Sequence, residues 1–179
     1  RSARGNAQEA HRHEAAAVHM ADAYARITGQ IGVSMYTTPG FANAIPGLTN
    51  ALHSESPLLS ISGSADLSEA GRGSMQEIDQ VGMASSVVKE SLTVYDARRI
   101  PDTIARAVRI AFSGRRGPVH LTIPIDIQDQ EIDENEVVFY NPDEYRASES
   151  MNASPVLVQQ AVALMREAKR PFVIAGDAA

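Results

Sequence analysis

The sequence contains no cysteine. That removes disulfides, thiolate metal sites and a cysteine nucleophile together, and it fits a reducing compartment such as the cytoplasm. Basic residues are outnumbered, 16 Lys and Arg against 22 Asp and Glu, for a net charge of −6. A general nucleic-acid binder would carry a basic patch instead. No apolar run approaches the ~20 residues that a membrane-spanning helix needs. No basic-then-apolar leader opens the chain. It begins at Arg1 rather than Met, so further sequence upstream is expected. The glycines lack both the G-x-G-x-x-G spacing of a dinucleotide fold and the G-x-x-x-x-G-K-[ST] of a phosphate loop. The five histidines show no metal-ligand spacing. His11 and His13 alternate as in a short strand, and His19, His53 and His120 read as surface or satisfied core residues.

What is present is unevenly distributed. Between Asp129 and Asn152 stand eight acids and one base, Arg146, so this stretch holds essentially all of the net charge. It contains the turn signal Asn141-Pro142 and reads as a solvated connector. Ser154-Pro155 then opens a helix, with Val158, Ala161, Val162 and Met165 on one face. Phe172 to Ala175 reads as a strand. With roughly 100–200 residues per domain, the 179 residues give one domain over 1–128, the connector over 129–153 and the start of a second domain over 154–179.

Helices and strands alternate in the first domain. Helices are expected from about His13 to Thr28, from Pro39-Gly40 through Leu52, and over Ile100–Phe112. Strands are expected over Ile31–Tyr36, Pro57–Ser62 and Val119–Ile123, with weaker strand signals at Val87-Val88 and Leu92–Tyr95. Ser64 to Gly82 is looser. This alternation predicts an α/β fold, a parallel sheet flanked by helices. Ligands of such sheets bind beyond the carboxyl ends of strands, which points to the loops after Tyr36, Ser62 and Ile123.

Three segments there hold chemistry-bearing residues. Glu14 shares a helical face with Ala17, Val18, Ala21 and Ala25, while His19, Asp22 and Arg26 read as the polar face. Small residues let a backbone or a flat ligand approach closely; equally, an acid in a first helical turn is favoured by the helix dipole. Thr37-Thr38-Pro39-Gly40 leaves a strand and enters a helix, either as a tight turn or as a cradle of backbone N–H groups. Asn43 follows, to bond a ligand or to cap its helix, and Pro46 must lie in the first turn or kink the helix. Met75-Gln76-Glu77-Ile78-Asp79 lies in the looser stretch, and a long loop at a sheet edge is more often functional than structural.

Taken together, Arg12-His13-Glu14 with the following AAAVHMADAYARITGQIGV, then PGFANAIPGL, SESPLLSISG, MQEIDQVGM and RGPVHLTIPIDIQ, resemble the pyrimidine-binding (PYR) domain of the thiamine-diphosphate-dependent enzymes. The likeness runs in order from Gln8 to Gln128, with the family's first strand and helix missing. It implies that Glu14 hydrogen-bonds N1′ of the cofactor's aminopyrimidine. A carboxyl raised in pKa by an apolar face would share that proton and so activate the thiazolium carbon for attack on a carbonyl. It further implies that Pro39, Gly40 and Asn43 line the pyrimidine, and that Thr38, Met75 and Gln76 face the substrate. Thiamine diphosphate with Mg²⁺ is the implied cofactor, its metal ligands lying outside this chain, and FAD is a further cofactor the family allows. A homodimer or homotetramer follows, with the active site at the subunit interface.

MQEIDQVGM is similar to acetolactate synthases, which decarboxylate a 2-keto acid and transfer the acyl unit, except that Met75 stands where they usually have Phe. Pro39-Gly40-Phe41 and Gly63-Ser64-Ala65-Asp66 look more like oxalyl-CoA decarboxylase, 2-hydroxyacyl-CoA lyase or benzaldehyde lyase, enzymes of acyl substrates. No His stands in the Thr37-Thr38 loop, which is one residue shorter than the family's Thr-Ser-Gly-Pro-Gly. A non-catalytic interaction domain is the remaining alternative, and Glu14 argues against it because a degenerate copy would commonly lose that acid.

Overall fold

The structure is a computed structural model that describes residues 11–146 and 153–176. Gln8, where the family-like stretch begins, and connector residues 147–152 lie outside the described residues. The chain divides into two compact units, Arg1–Arg146 and Ala147–Ala179.

In the first unit, helix α1 (Glu14–Thr28) leads to strand β1 (Gly32–Tyr36), α2 (Thr38–His53), β2 (Leu58–Ser64), the short α3 (Gln80–Ala84), β3 (Glu90–Thr93), α4 (Ile100–Phe112), β4 (Pro118–Pro124) and the single turn α5 (Ile125–Gln128). The four strands form one parallel sheet in the order β1-β2-β4-β3. The expected parallel α/β layering is therefore observed.

The two faces follow from the alternation of side chains along the strands. Leu58 on β2 packs with Val18 of α1 and with Phe41, Ala44 and Leu48 of α2. Leu59, one residue on, faces the other way, toward Ala107 and Ala111 of α4 with Val119 and Leu121 of β4. Near-continuous burial along β4 is what a strand covered on both faces requires.

Several local readings need correction. His11 and His13 are not in a strand; His13 is the N-cap of α1, its Nδ1 accepting from the Ala15 amide at 3.2 Å. Val87 and Val88 lie in a turn and are buried in the α1–α2 core, so their apolar character serves packing rather than strand pairing. The strand expected over Leu92–Tyr95 is Glu90–Thr93, beginning two residues earlier. Pro46 lies in the interior of α2, past the first turn; its missing N–H leaves the Ala42 carbonyl without its usual helical donor. Asp22 is buried, not on a polar face, and accepts from Asn50 Nδ2 at 2.6 Å and from Ser56 Oγ at 2.5 Å. It stands four residues after Val18, on the same stripe, and the two donors compensate its burial.

Acidic residues 129–146 are mostly exposed. They make a 3₁₀ turn at Glu134–Glu136 and a helical turn α6 (Pro142–Tyr145), and are tied down by Arg98–Glu136 at 3.6 Å and by the Arg146 guanidinium over the Phe112 ring at 4.2 Å.

In the second unit, α7 (Pro155–Glu167) starts where Ser154-Pro155 places it. Phe172 to Ala175 is not a strand, since no described strand of its own unit offers it a hydrogen-bonding ladder.

Candidate active site

The carboxyl ends of β1, β2 and β4 converge as parallel-sheet geometry requires. Thr37 is the N-cap of α2, and Thr38, its first residue, donates from Oγ1 to the Gly63 carbonyl at 3.0 Å. This bond fastens the loop after β1 to the end of β2. With Pro39 pre-setting the first helical turn, α2 carries Gly40 and Asn43 toward α1.

Glu14 meets them there. Asn43 Nδ2 donates to Glu14 Oε2 at 3.0 Å. A Cβ added to Gly40 would lie 2.6 Å from Glu14 Cγ and 2.7 Å from Oε1. Glycine is thus required so that the carboxylate can lie against the α2 backbone. Three of the residues singled out in the sequence, Glu14, Gly40 and Asn43, form one cluster. Pro39 sits beside them on the exposed side of the turn.

The small face of α1 beyond Glu14 is not a ligand surface. A Cβ at Gly32 of β1 would fall within the Ala21 carbonyl, and one at Gly47 of α2 would lie 2.7 Å from Val18 Cγ1. Backbones, not a ring, occupy that stripe, so only its first residue is left to meet a ligand.

The raised carboxyl pKa expected for Glu14 is not found. Its own backbone N–H and the Asn43 amide stabilise the carboxylate, and the group lies below the usual glutamate range. The reason is position: Glu14 is half-exposed at the start of the helix, and full burial begins one turn later at Val18.

Beneath the cluster runs a buried polar network. His120, fully buried on β4, lies against Phe41 with ring centroids 4.2 Å apart. Its Nδ1 hydrogen-bonds Ser60 Oγ at 2.8 Å, and Ser60 also bonds the Tyr36 hydroxyl. On the other side, His120 Nε2 is within 3.3 Å of Ser62 Oγ and of Gln80 Oε1, and 3.2 Å from Thr122 Oγ1. Gln80 Nε2 donates to the Gly63 carbonyl at 2.8 Å. Burial holds His120 down to about 4, hence neutral, and pushes Tyr36 up. His120 is thus the satisfied core histidine expected, but its network was not foreseen; four polar residues at alternating positions, Ser60, Ser62, His120 and Thr122, were the available signal.

Beyond the ends of β2, β3 and β4 lies a cavity of about 210 Å³, lined by Thr38, Glu77, Asp79, Gln80 and Tyr95 among others. Of the expected substrate-facing residues, Thr38 lines it. Met75 and Gln76 do not; they are exposed at the tip of the adjoining loop. Among the described residues no group of three His, Asp or Glu converges to hold a metal.

This arrangement suits a ligand nitrogen able to share a proton with a carboxylate, because Glu14 is half-exposed and Asn43 holds its carboxylate. Residues 9–83 match the family described as thiamine pyrophosphate enzyme, N-terminal TPP binding domain. The chain is 37% identical over 177 residues to an acetolactate synthase of Arthrospira platensis, covering 94% of this chain and 29% of that protein. It is 34% identical over 174 residues to a probable acetolactate synthase large subunit of Methanococcus aeolicus (92% and 28%). A 2-hydroxyacyl-CoA lyase of Arabidopsis thaliana is 35% identical over 170 residues (93% and 30%). The chain therefore spans less than a third of the curated relatives it matches. The family match and these relatives show that residues 9–83 belong to the thiamine-diphosphate-dependent enzymes, as their N-terminal TPP binding domain.

Proposed function

We propose that the protein of which this chain is part decarboxylates a 2-keto acid on thiamine diphosphate and transfers the acyl unit to a second carbonyl, as an acetolactate synthase. The observation that carries the reading is the Glu14 carboxylate held by Asn43 against the bare backbone of Gly40, within the segment that matches the family. Thiamine diphosphate, when bound, supplies the electron sink for breaking the carbon–carbon bond. This chain's contribution is orientation and a proton. Glu14 would share its carboxyl proton with the pyrimidine ring, Asn43 would fix the carboxyl group's rotation, and Gly40 and Pro39 would line the ring. A ring in place would desolvate Glu14 and shift its carboxyl upward from the low position it holds here.

Mg²⁺ and the diphosphate would be held by residues outside this chain. The site would be completed by another subunit, in a homodimer or homotetramer. A cytoplasmic location accords with the absence of cysteine; among the described residues no helix is long and apolar enough to cross a membrane.

The test is Glu14→Gln in the full-length enzyme, reading hydrogen exchange at the thiazolium C2 of bound cofactor by NMR. A slowing by orders of magnitude is expected; unchanged exchange would overturn the role. A second reading, a lyase or decarboxylase of acyl-CoA substrates, is favoured by the lyase relative. Turnover of pyruvate against oxalyl-CoA and a 2-hydroxyacyl-CoA separates the two.

A further inference from the structure

The loop between β2 and α3 contains a residue for which the sequence motif gave no role. The Glu77 carboxylate accepts three backbone N–H groups, from Gly71 at 2.5 Å, Gly73 at 2.9 Å and Ser74 at 3.2 Å. Gly71 and Gly73 take φ of 77° and 74°, the left-handed conformation that turns successive amides inward. The nest they form is filled by the chain's own carboxylate, so it is not a site for an external anion. Ser68 to Gly73, Met75 and Gln76 are exposed, so hydrophobic burial does not order this loop. Gln76, immediately before Glu77, has φ of 64°, one of two non-glycine residues with positive φ among those described. An L-residue avoids that conformation unless its surroundings impose it. Gln76 adjoins Glu77, whose carboxylate gathers the three amides and which also lines the cavity shared with Thr38, Asp79 and Gln80.

We infer that Glu77 is a positioning residue for the substrate step: its carboxylate locks residues 71–77 into the conformation that presents Met75 and Gln76 beside the cavity. The inference rests on the function proposed above. It assigns Glu77 no contact with the cofactor, which separates it from Glu14.

The test compares full-length wild type, Glu77→Gln and Glu77→Asp. Glutamine keeps the shape but loses the charge and replaces one acceptor oxygen with a donor. Aspartate keeps the charge but is one methylene too short to reach all three amides. Three readouts are taken on each: amide hydrogen–deuterium exchange of the peptide spanning 70–78, C2–H exchange of bound thiamine diphosphate, and kcat and KM for pyruvate. In Glu77→Gln, amide exchange in the loop is expected to rise at least tenfold, with faster tryptic cleavage after Arg72. KM for pyruvate is expected to rise at least tenfold, while C2–H exchange stays within twofold. Glu77→Asp is expected to fall between, and it carries the test if the glutamine variant does not fold. Loop amides that exchange as in wild type would overturn the lock. A released loop with unchanged KM and kcat would overturn the positioning role, and a fall in C2–H exchange would show that Glu77 acts on the cofactor instead. Failure of the underlying function shows separately, as absent C2–H exchange in the unmodified enzyme.

Discussion

Replacing Gly40 by Ala isolates the geometry of the Glu14 cluster from the stability of the fold. The new Cβ would stand 2.6 Å from Glu14 Cγ, 2.7 Å from Oε1 and 2.9 Å from Cδ. Carbon–carbon contact is optimal at about 3.5–4.0 Å, so the side chain must retreat by about 1 Å. It can do so, because the clash is with the outer part of a flexible, half-exposed side chain rather than with backbone. The cost to stability is the Asn43–Glu14 hydrogen bond, about 1 kcal/mol. It is offset by a similar gain from exchanging glycine for alanine in a helix, up to ~1 kcal/mol. Melting temperature is therefore expected to stay within about 4 °C of wild type. Catalysis has no such offset, since a misplacement of about 1 Å costs on the order of 10²-fold. The assay is C2–H exchange of bound cofactor alongside thermal melting, both on the full-length enzyme. Gly47→Ala is the control: its Cβ would meet Val18 Cγ1 at 2.7 Å and Val18 Cβ at 2.8 Å. Val18 is fully buried and stiff at χ1, so overpacking there should cost about 1–3 kcal/mol and lower melting without selectively slowing exchange. Exchange at the wild-type rate in a stably folded Gly40→Ala would refute the reasoning.

Two further outcomes test the network and the packing below the site. His120 is held down to about 4 in the fold against 6.5 in the unfolded chain. The unfolded state therefore binds the extra proton first, and stability is complete above pH 6.5 and declines as pH falls toward 4, by up to about 3 kcal/mol. Urea unfolding between pH 7 and 4 should show this slope, and His120→Gln should flatten it; an unchanged slope would show that other groups cause it. Asp22→Ala should cost about 2–4 kcal/mol in chemical denaturation, because Asn50 and Ser56 lose a buried acceptor. A loss below 0.5 kcal/mol, on the scale of ordinary surface substitutions, would mean that water replaces Asp22.

The layering of the first unit was legible because alternation of helix and strand is a strong pattern, and Ile100–Phe112 is both the expected and the observed helix. The Glu14–Gly40–Asn43 cluster was legible only through ordered motifs; helical spacing alone left Glu14 as an ordinary first-turn acid. Asp22 was misplaced because an aspartate was taken for a solvent-facing residue, whereas its donors come from 28 and 34 residues away. Val87 and Val88 show the same limit, since β-branched residues pack well in a buried turn as well as in a strand. Glu77 was invisible because its partners are backbone amides, which leave no trace in residue identity. The low position of the Glu14 carboxyl depends on how far it projects beyond Val18, which no spacing reveals.

The closest approaches of α1 to β1 and α2 are Ala21 against Gly32 and Val18 against Gly47. Alanine and glycine have no side-chain rotamers to lose on ordering. These contact points cannot loosen by degrees, as leucine contacts do when side chains hop between wells. The position of Glu14 is set by how three backbones touch, and warming should leave it fixed until the helix detaches as a unit.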